Sequence, residues 1–410
     1  MNYKQKIDEV FQPNSLTPAE LKPIVAEAEV YLAQMLADNH ALFAAIHNSA
    51  PFIAEAEKFH SMIDGKFNQL VVLGTGGSSL CGETLAGFKR NKFCKKSLEV
   101  IFMANVDPYA WDDFFAKISY EKTAFLVISK SGESIEPMAQ MLVCINKYLE
   151  KKLPISVHFF ALTMSGNNSL RQVANDYKMQ IFEHSGEVSG RYSVFSNVAF
   201  LPAISQGFDI AKYLAGAAEF FVNHAQDAAQ AAAIHVALMR RNIWQNVFMT
   251  YPDNLEFLNN WYRQIWAESL GKNGTGSTPI KAVGTVDQHS QLQMFLGGRK
   301  DKFYNIVTLD CAGAGAEMGT NKYANLQYLN GKTLGDLITA EQRSTIKTLA
   351  ENKLPVRSIL LGALTEFELG MLTAHLASET IITAMLLGVN PFDQPHVEQG
   401  KVFTREFLRL

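Results

Sequence analysis

The stretch TAFLVISKSGES, residues 123–134, joins an unbroken apolar run to a loop rich in hydroxyl groups. Continuous apolar character, rather than alternation, is typical of a strand buried on both faces of a sheet. An ordinary turn requires little more than a Gly or an Asn, whereas this one adds Ser129, Lys130 and Ser131. Ser134 is placed to cap the helix that follows, but capping accounts for one serine only. The stretch therefore predicts a buried strand that ends at an anion-binding loop.

Apolar runs of the same kind recur along the chain, and a stretch able to form a helix follows each of them. They read NQLVVL, SLEVIF and ISVHFFALT in the first half, and NVFMTY, TPIKAV, KFYNIVTL and VRSILL in the second half. An Ala-rich helical stretch beginning near residue 209 separates the two series. This alternation of strands and helices favours parallel sheets with helices on both faces.

The fold class we predict is α/β, with two three-layer α/β/α domains built on parallel sheets. A chain of 410 residues is long for a single hydrophobic core, which supports two domains. The predicted parts are a helical N-terminal segment (1–65), a first domain (66–215) that carries the Ser-rich loops, a second domain (216–390) and a C-terminal helix (391–410).

The composition is that of a packed globular protein, with 48% hydrophobic and 19% charged residues. A net charge of −3 gives no general attraction to nucleic acid or anionic lipid, so any phosphate recognition must be local. The cysteines stand far apart and form no CxxC pair, which favours buried or incidental thiols over a zinc site or disulfides. They are Cys81, Cys94, Cys144 and Cys311. The N-terminus lacks an apolar signal region and no window reaches the length of a membrane span, so we expect a soluble, cytoplasmic protein.

A second Ser-rich loop, GTGGSSLCG (residues 74–82), follows the run NQLVVL. It is either a tight turn with helix-capping serines or a Gly-rich turn that brings backbone N–H groups and the Ser78 hydroxyl to a phosphate. A dinucleotide fingerprint is disfavoured, because Ser79 replaces the third Gly and no acid ends the next strand about 20 residues on. Since ligands bind beyond the carboxyl ends of parallel strands, both loops are expected to converge on one anion. Neither loop matches GxxxxGK[ST], which favours a monophosphate ester.

Three later residues are candidates for chemistry. Arg191, in SGRYSVFS, is either a structural ion-pair residue or an anion stabiliser. Glu268, in WAESLGK, is either a solvated helix residue or a general base that faces a cleft. His289, in DQHSQLQ, is either a residue of the site or a surface histidine. A metal site is disfavoured, because no second His lies three to five residues away.

Six landmarks in a fixed order identify a resemblance to the phosphoglucose isomerase (glucose-6-phosphate isomerase) family, whose members contain two SIS-type α/β domains. They are GTGGSS, NVDP, SKSGES, SGRYSVFS, WAESLGK with DQHSQLQ, and PFDQPHVEQGK. The chain departs from the family pattern at Cys81 and His396, has Glu133 beside the second loop, and is short for the family.

The resemblance implies that the chain interconverts glucose 6-phosphate and fructose 6-phosphate, in glycolysis and gluconeogenesis, by ring opening and an enediolate intermediate. In this reading Glu268 is the base and Arg191 offsets the charge on the enediolate oxygens, while His289 and Lys401 assist ring opening. The remaining implied residues hold the phosphate (Ser78, Ser129, Lys130, Ser131 and Ser134) or contact the substrate (Gly77 and Gln394). The family's histidine reaches the site from the partner subunit, which implies a homodimer, and no cofactor or metal is implied.

Two other readings remain open at this level. A broader phosphoglucose/phosphomannose isomerase would share the fold and the base, but DQHSQLQ favours the glucose enzyme. A non-catalytic SIS-fold sugar-phosphate sensor would need SKSGES, yet it would have no use for Glu268, Arg191, His289 and Lys401 together.

Overall fold

The computed structural model describes residues 3–11, 16–38, 41–89 and 98–410. Cys94 lies outside the described residues. Two five-stranded sheets organise the chain. The strands are β1 (Lys4–Lys6), β2 (Gln69–Leu73), β3 (Glu99–Phe102), β4 (Thr123–Ile128), β5 (Phe159–Thr163), β6 (Gln180–Glu183), β7 (Gln245–Thr250), β8 (Thr278–Val283), β9 (Lys302–Leu309) and β10 (Val356–Leu361).

Helices connect the strands and cover the sheets. The helices are α1 (Pro18–Ala37), α2 (Ala44–His47), α3 (Ala50–Ile63), α4 (Gly77–Phe88), α5 (Pro108–Lys117), α6 (Ile135–Glu150), α7 (Ile155–His158), α8 (Ser169–Asp176), α9 (Asn197–Ile204), α10 (Ile210–Asn223), α11 (Ala225–Met239), α12 (Glu256–Leu270), α13 (Leu292–Gly297), α14 (Leu334–Glu351), α15 (Glu366–Leu386) and α16 (Glu398–Phe407). Short 3₁₀ helices fill several connections, among them Gly190–Phe195 and Pro395–Val397.

The first sheet has the strand order β3-β2-β4-β5-β6 and is parallel throughout. The second sheet has the order β1-β10-β9-β7-β8, and its strands are parallel except for β1. The predicted α/β class with two parallel sheets is confirmed, and every predicted apolar run contains a strand. The domain boundaries drawn from the sequence stay predictions.

Strand β1 is a feature that the sequence pattern did not predict. Lys4–Lys6 pairs antiparallel with Ser358–Leu360 of β10, within a segment that was expected to be helical throughout. The side chain of Gln5 explains part of this pairing, because it accepts from Arg357 and donates to the Asp227 carbonyl. Helices α1, α2 and α3 make up most of the rest of the described N-terminal segment, as predicted.

Both faces of the first sheet are buried, as its continuous apolar runs require. All six residues of β4 are buried. Leu70 and Leu126 pack into a large hydrophobic cluster that also includes one face of the second sheet, whereas Val71 and Phe125 pack into a separate cluster on the opposite face. The large cluster, which lies between the two sheets, therefore joins the two halves of the molecule through a common core.

Helix α15 forms the centre of this core. Among the described residues it alone is long and apolar enough to cross a membrane, but 89% of its most apolar window is buried inside the fold. It packs closely on α10, where a Cβ on Gly370 would lie 1.9 Å from the Tyr213 carbonyl oxygen and a Cβ on Gly216 would lie 1.8 Å from that of Phe367. The two glycines let the helix backbones touch.

A charged network is buried where α15 meets β10. Arg357 donates from Nη1 and Nη2 to both oxygens of Glu379, at 2.8 and 3.1 Å, and both side chains are fully buried. His235 Nε2 lies 2.9 Å from one of these oxygens. Burial alone would raise the pKa of Glu379, but Arg357 and the neighbouring histidines lower it to about 2. The carboxylate is therefore charged and depends on Arg357.

Replacing Arg357 by Met should lower the free energy of unfolding by about 3–5 kcal/mol, because it leaves the Glu379 charge buried without its partner. The double variant Arg357→Met, Glu379→Leu should recover most of that loss. Arg171→Met is the control, since it breaks a half-exposed pair with Glu183 and should cost less than about 1 kcal/mol. Urea unfolding measures all three, and equal losses for Arg357→Met and Arg171→Met would contradict the assignment.

Candidate active site

The two Ser-rich loops lie side by side at the carboxyl end of the first sheet. Strands β2 and β4 are neighbours, with Leu73 opposite Val127, so the loops that follow them leave the sheet together. Gly76 and Gly132 adopt φ values of +59° and +68°, which favour glycine. A Cβ on Gly132 would also fall 2.0 Å from Asn168 Oδ1. The sequence prediction that the loops meet at one place is consistent with this geometry.

The hydroxyl groups of the SKSGES loop remain close together. Ser129 Oγ donates to Ser134 Oγ at 3.3 Å. Ser134 occupies the N-cap position of α6, but its side chain makes no capping hydrogen bond, so the predicted capping role is wrong. Ser131 Oγ accepts from the Glu133 backbone N–H at 3.2 Å. Its hydroxyl proton is therefore still available to donate.

Glu133 and Lys130 are both turned toward neighbouring segments. The Glu133 carboxylate accepts from the Ser169 backbone N–H at 2.8 Å, and this bond lowers the pKa of Glu133. Lys130 Nζ donates to the Val188 carbonyl at 2.8 Å, and burial lowers the pKa of Lys130. The acid is thus directed away from the hydroxyls, while the lysine ties the loop to the segment that precedes Arg191.

The GTGGSS loop approaches the same segment through its backbone. Gly77, the first residue of α4, is buried, and a Cβ on it would lie 2.2 Å from the Gly190 carbonyl oxygen and 2.7 Å from Arg191 N. Ser79 is buried and donates to Glu83, but Ser78 in the same turn is only partly buried. Ser78 is therefore the serine of this loop that remains partly exposed.

Arg191 is buried, and all five of its N–H donors are paired. Its Nε donates to Ser269 Oγ at 2.9 Å. Nη1 donates to Glu268 Oε2 at 3.1 Å and to Gln394 Oε1. Nη2 donates to the carbonyls of Pro391 and Asp393, at 2.6 and 2.9 Å. Since a guanidinium has five donors in a rigid plane, Arg191 fixes the relative positions of α12 and the segment 390–394.

Glu268 is partly exposed, in contrast to Arg191. Its side chain is 32% exposed, while that of Arg191 is 0% exposed. Its second oxygen accepts from Gln264 Nε2 at 2.9 Å, one helical turn earlier on α12. Trp261, on the same helix, is buried and donates from Nε1 to the Arg191 carbonyl at 2.9 Å. Glu268 therefore lies on the partly exposed side of α12 with one oxygen toward Arg191.

The structure brings together Arg191, Glu268 and Gln394, with Gly77 against the Arg191 backbone. It does not bring His289 to this group in the same chain. His289 is exposed at the end of the 3₁₀ helix Val286–Gln288. The predicted ring-opening histidine thus makes no contact with this group within the chain.

Lys401 lies on α16, a helix whose residues are all exposed. Its side chain is 49% exposed and its Nζ donates to Glu398 at 2.7 Å. Arg405 contributes to the lowered pKa of Glu133. Because residues four apart share a helix face, Lys401 and Arg405 lie on one face of α16.

Sequence reasoning missed Ser269, Gln264 and Lys272. Ser269 binds both Arg191 Nε and the Tyr192 hydroxyl, and Lys272 donates to the Ser269 carbonyl. Gln264 could have been found, since it lies four residues before Glu268 on a predicted helix face. Ser269 and Lys272 lie within the landmark WAESLGK, but their partners Arg191, Tyr192, Asn390 and Asp393 are distant in sequence.

The thiols in the described part of the chain are free, as predicted. Burial raises the pKa of Cys81 and of Cys144 far above the ordinary value, which makes both unreactive. Cys81 packs against the Gly190 carbonyl, with its Sγ 3.6 Å away. In those same described segments, no three His, Cys, Asp or Glu side chains are grouped so as to hold a metal ion.

The site combines adjacent hydroxyl-rich loops, a buried arginine and a partly exposed carboxylate in a protein built on two parallel sheets. These are the parts of a sugar-phosphate isomerase. The family model of phosphoglucose isomerase matches residues 53–409, and the chain belongs to this family. The resemblance drawn from the six landmarks is thereby confirmed.

Individual relatives agree with the family. The glucose-6-phosphate isomerase of Rubrobacter xylanophilus is 37% identical over 321 residues, which are 74% of this chain and 72% of that protein. The glucose-6-phosphate isomerase of Carboxydothermus hydrogenoformans is 32% identical over 381 residues, 87% of this chain and 82% of that protein.

Solved structures share the fold over nearly the whole chain. A hypothetical protein from Thermus thermophilus has a TM-score of 0.86 at 27% identity, with 99% of this chain and 100% of that chain covered. A glucose-6-phosphate isomerase from Chlamydia trachomatis has a TM-score of 0.83 at 19% identity, with 99% of this chain and 88% of that chain covered. The second likeness shows the fold.

Gly77→Ala should lower the free energy of unfolding by at least about 1–3 kcal/mol, because the added Cβ meets the Gly190 and Arg191 backbone rather than a flexible side chain. Gly186→Ala is the matched control in the same region, since its Cβ would lie an ordinary 3.4 Å from Met164 Sδ, and it should change stability by about 0.5 kcal/mol or less. Urea unfolding distinguishes them. Equal stability of the two variants would exclude the close approach at Gly77.

Proposed function

We propose that the protein interconverts glucose 6-phosphate and fructose 6-phosphate, with Glu268 moving a proton between C1 and C2 of the open-chain sugar. The observation that carries this proposal is the partly exposed Glu268 carboxylate, held 3.1 Å from buried Arg191. A sugar-phosphate sensor needs the Ser-rich loops but not such a pair. The pairing therefore supports the enzyme over the non-catalytic alternative.

Glu268 is suited to a base because its position is fixed from both sides. Arg191 holds one carboxylate oxygen and Gln264 holds the other, while the helix behind it is anchored by buried Trp261. Proton abstraction requires a base within hydrogen-bond reach in a defined geometry, and positioning contributes much of the rate. The partial exposure leaves room for a substrate carbon to approach.

Arg191 offsets the negative charge of the enediolate from a buried position, where a fixed charge acts through a lower dielectric than water. Its bonds to Pro391 and Asp393 go to backbone carbonyls, and its bond to Ser269 is buried. The bonds from Nη1 go to the side chains of Glu268 and Gln394. These are the bonds that an incoming sugar oxygen can replace, which gives Gln394 a direct role at the substrate.

The phosphate group is held by the two loops at the carboxyl end of the first sheet. Ser129 and Ser134 present neighbouring hydroxyls, and Ser131 keeps a hydroxyl proton free to donate. The nearby acid, Glu133, is directed to the Ser169 N–H and does not oppose an anion. The full set consists of Ser78, Ser129, Lys130, Ser131 and Ser134, with Lys130 acting through its backbone and its tie to Val188.

Ring opening is assigned to Lys401 of the same chain and to His289 of a partner subunit in a homodimer. Lys401 is supported by its place on α16, which follows closely after Gln394, a residue bound to Arg191. His289 is exposed and is flanked by Val286 and Met294, whose apolar side chains are 67% and 60% exposed. An apolar surface around a catalytic residue is what a subunit interface requires.

The proposed cellular setting is the cytoplasm, in glycolysis and gluconeogenesis, with no cofactor or metal used in turnover. A broader activity that includes mannose 6-phosphate remains the second candidate. Purified protein assayed on fructose 6-phosphate, glucose 6-phosphate and mannose 6-phosphate, with and without a chelator, separates these cases. No turnover on any of the three would favour the sensor.

Glu268→Gln should lower kcat by about 10³-fold or more while substrate binding is retained, because the amide keeps the shape but cannot accept the proton. Glu256→Gln, at the other end of α12, is the control and should keep near-normal turnover. Steady-state kinetics with fructose 6-phosphate measure both. A Glu268→Gln enzyme with near-normal kcat would show that the base lies elsewhere.

Mixing the inactive variants Glu268→Gln and His289→Ala should restore activity if His289 acts across the interface. Each mixed dimer then contains one site with both native residues, so random exchange should recover about a quarter of the wild-type rate. The measurement is turnover after subunit exchange, with mass spectrometry to verify that mixed dimers formed. Mixed dimers without recovered turnover would place His289 in its own subunit's site or outside catalysis.

A further inference from the structure

Lys272 is a buried lysine next to the candidate site, and the six family landmarks give it no role. It follows α12 by two residues, and its side chain is only 7% exposed. Its ammonium donates to the Ser269 carbonyl at 3.0 Å and to the Asn390 carbonyl, and it lies 3.1 Å from Asp393 Oδ1. These three partners match the three donors of an ammonium group.

The partners of Lys272 join two parts of the molecule. The Ser269 carbonyl belongs to the last turn of α12, where carbonyls lack helical partners and favour a cation. Asn390 and Asp393 belong to the segment 390–394, which Arg191 holds through the carbonyls of Pro391 and Asp393. Two cations therefore fix segment 390–394. One is Arg191, in the 3₁₀ helix Gly190–Phe195, and the other is Lys272, which follows α12.

Two buried cations in one place carry a desolvation cost that their hydrogen-bond partners and neighbouring carboxylates must offset. Burial lowers the pKa of Lys272, and the charge of Arg191 lowers it further, while Asp393 opposes these effects. An apolar side chain at this position would avoid the desolvation cost of a second cation. The cation is compatible with the fold because backbone carbonyls and one carboxylate surround it.

The segment held by Lys272 leads directly to two residues of the proposed mechanism. Gln394 ends the segment and binds Arg191 Nη1. The 3₁₀ helix Pro395–Val397 and α16, which carries Lys401, follow Gln394 directly in the chain. Since α16 is otherwise exposed, the position of Lys401 depends on where residues 390–397 are anchored.

We infer that Lys272 is a positioning residue, whose ammonium holds segment 390–394 against Arg191 and thereby places Gln394 and Lys401 at the substrate. The inference rests on the proposed isomerase function. It assigns Lys272 no contact with the substrate, because its three donors are already used by the protein. Loss of the ammonium removes the contacts with Asn390 and the Asp393 carboxylate, which Arg191 does not make, and thereby releases that part of segment 390–394.

Lys272→Met should reduce kcat by about 10- to 100-fold, the range expected when catalytic groups are misplaced by about 1 Å. KM for fructose 6-phosphate should change by less than about threefold, because the phosphate loops lie on the other sheet and are not altered. Lys272→Arg, which keeps a cation with several donors, should restore part of kcat. Lys281→Met is the matched control, since it breaks the Lys281–Glu256 pair at the other end of α12 and should leave kcat unchanged.

Hydrogen exchange read by mass spectrometry tests the same inference without turnover. Lys272→Met should raise the exchange rate of peptides that cover residues 388–401, and Lys281→Met should not. Kinetics are expressed per folded molecule, from circular dichroism, so that partial unfolding does not count as loss of positioning.

The outcomes separate this inference from the proposed function. A wild-type enzyme without turnover on hexose 6-phosphates overturns the proposed function, and the exchange experiment alone then decides whether Lys272 anchors the segment. If the wild type is active and Lys272→Met keeps kcat within about twofold, the positioning role is excluded. Unchanged exchange in residues 388–401 excludes the anchor itself, and a loss of kcat that Lys272→Arg does not restore at all excludes the role of the cation.

Discussion

The five paired donors of Arg191 are the constraint on which the rest of the site depends. A guanidinium cannot be deprotonated and cannot bend, so five separate acceptors must be brought to one plane. Those acceptors come from α12 and from the C-terminal segment, while Gly77 and Trp261 pack against the backbone of the arginine itself. The packing of the common core between the two sheets thus fixes the Arg191 guanidinium. The proposed base, Glu268, is one of its hydrogen-bond acceptors.

The parts of the fold that the sequence predicted are the parts specified locally. Unbroken apolar runs predicted the parallel strands, and hydroxyl-rich loops after them predicted an anion site, because both signals lie within about ten residues. Glycines in the two loops indicated tight turns, and Gly76 and Gly132 adopt positive φ values there. The family landmarks then identified candidate residues. No local pattern indicates which residues surround them in space.

The parts that sequence reasoning missed or misread are set by distant partners. Ser134 has the residue type and position of a helix cap, yet its hydroxyl pairs with Ser129 across the loop. Lys4–Lys6 has no apolar pattern, and it is a strand only because β10 offers a free edge. Lysine is usually a surface residue, but Lys272 is buried because three acceptors from two segments surround it. Tertiary contacts override local preference in each case.

Strand β1 gives the chain an order of assembly. Its partners are Ser358–Leu360, and Tyr3 lies 2.7 Å from His375, so residues near the start pair with residues more than 350 positions later. During synthesis, which proceeds at about 5–20 residues per second, the first sheet can form while the edge of the second does not yet exist. The N-terminal strand cannot pair until β10 has been made, and the edge of β10 stays open until residues 4–6 cover it.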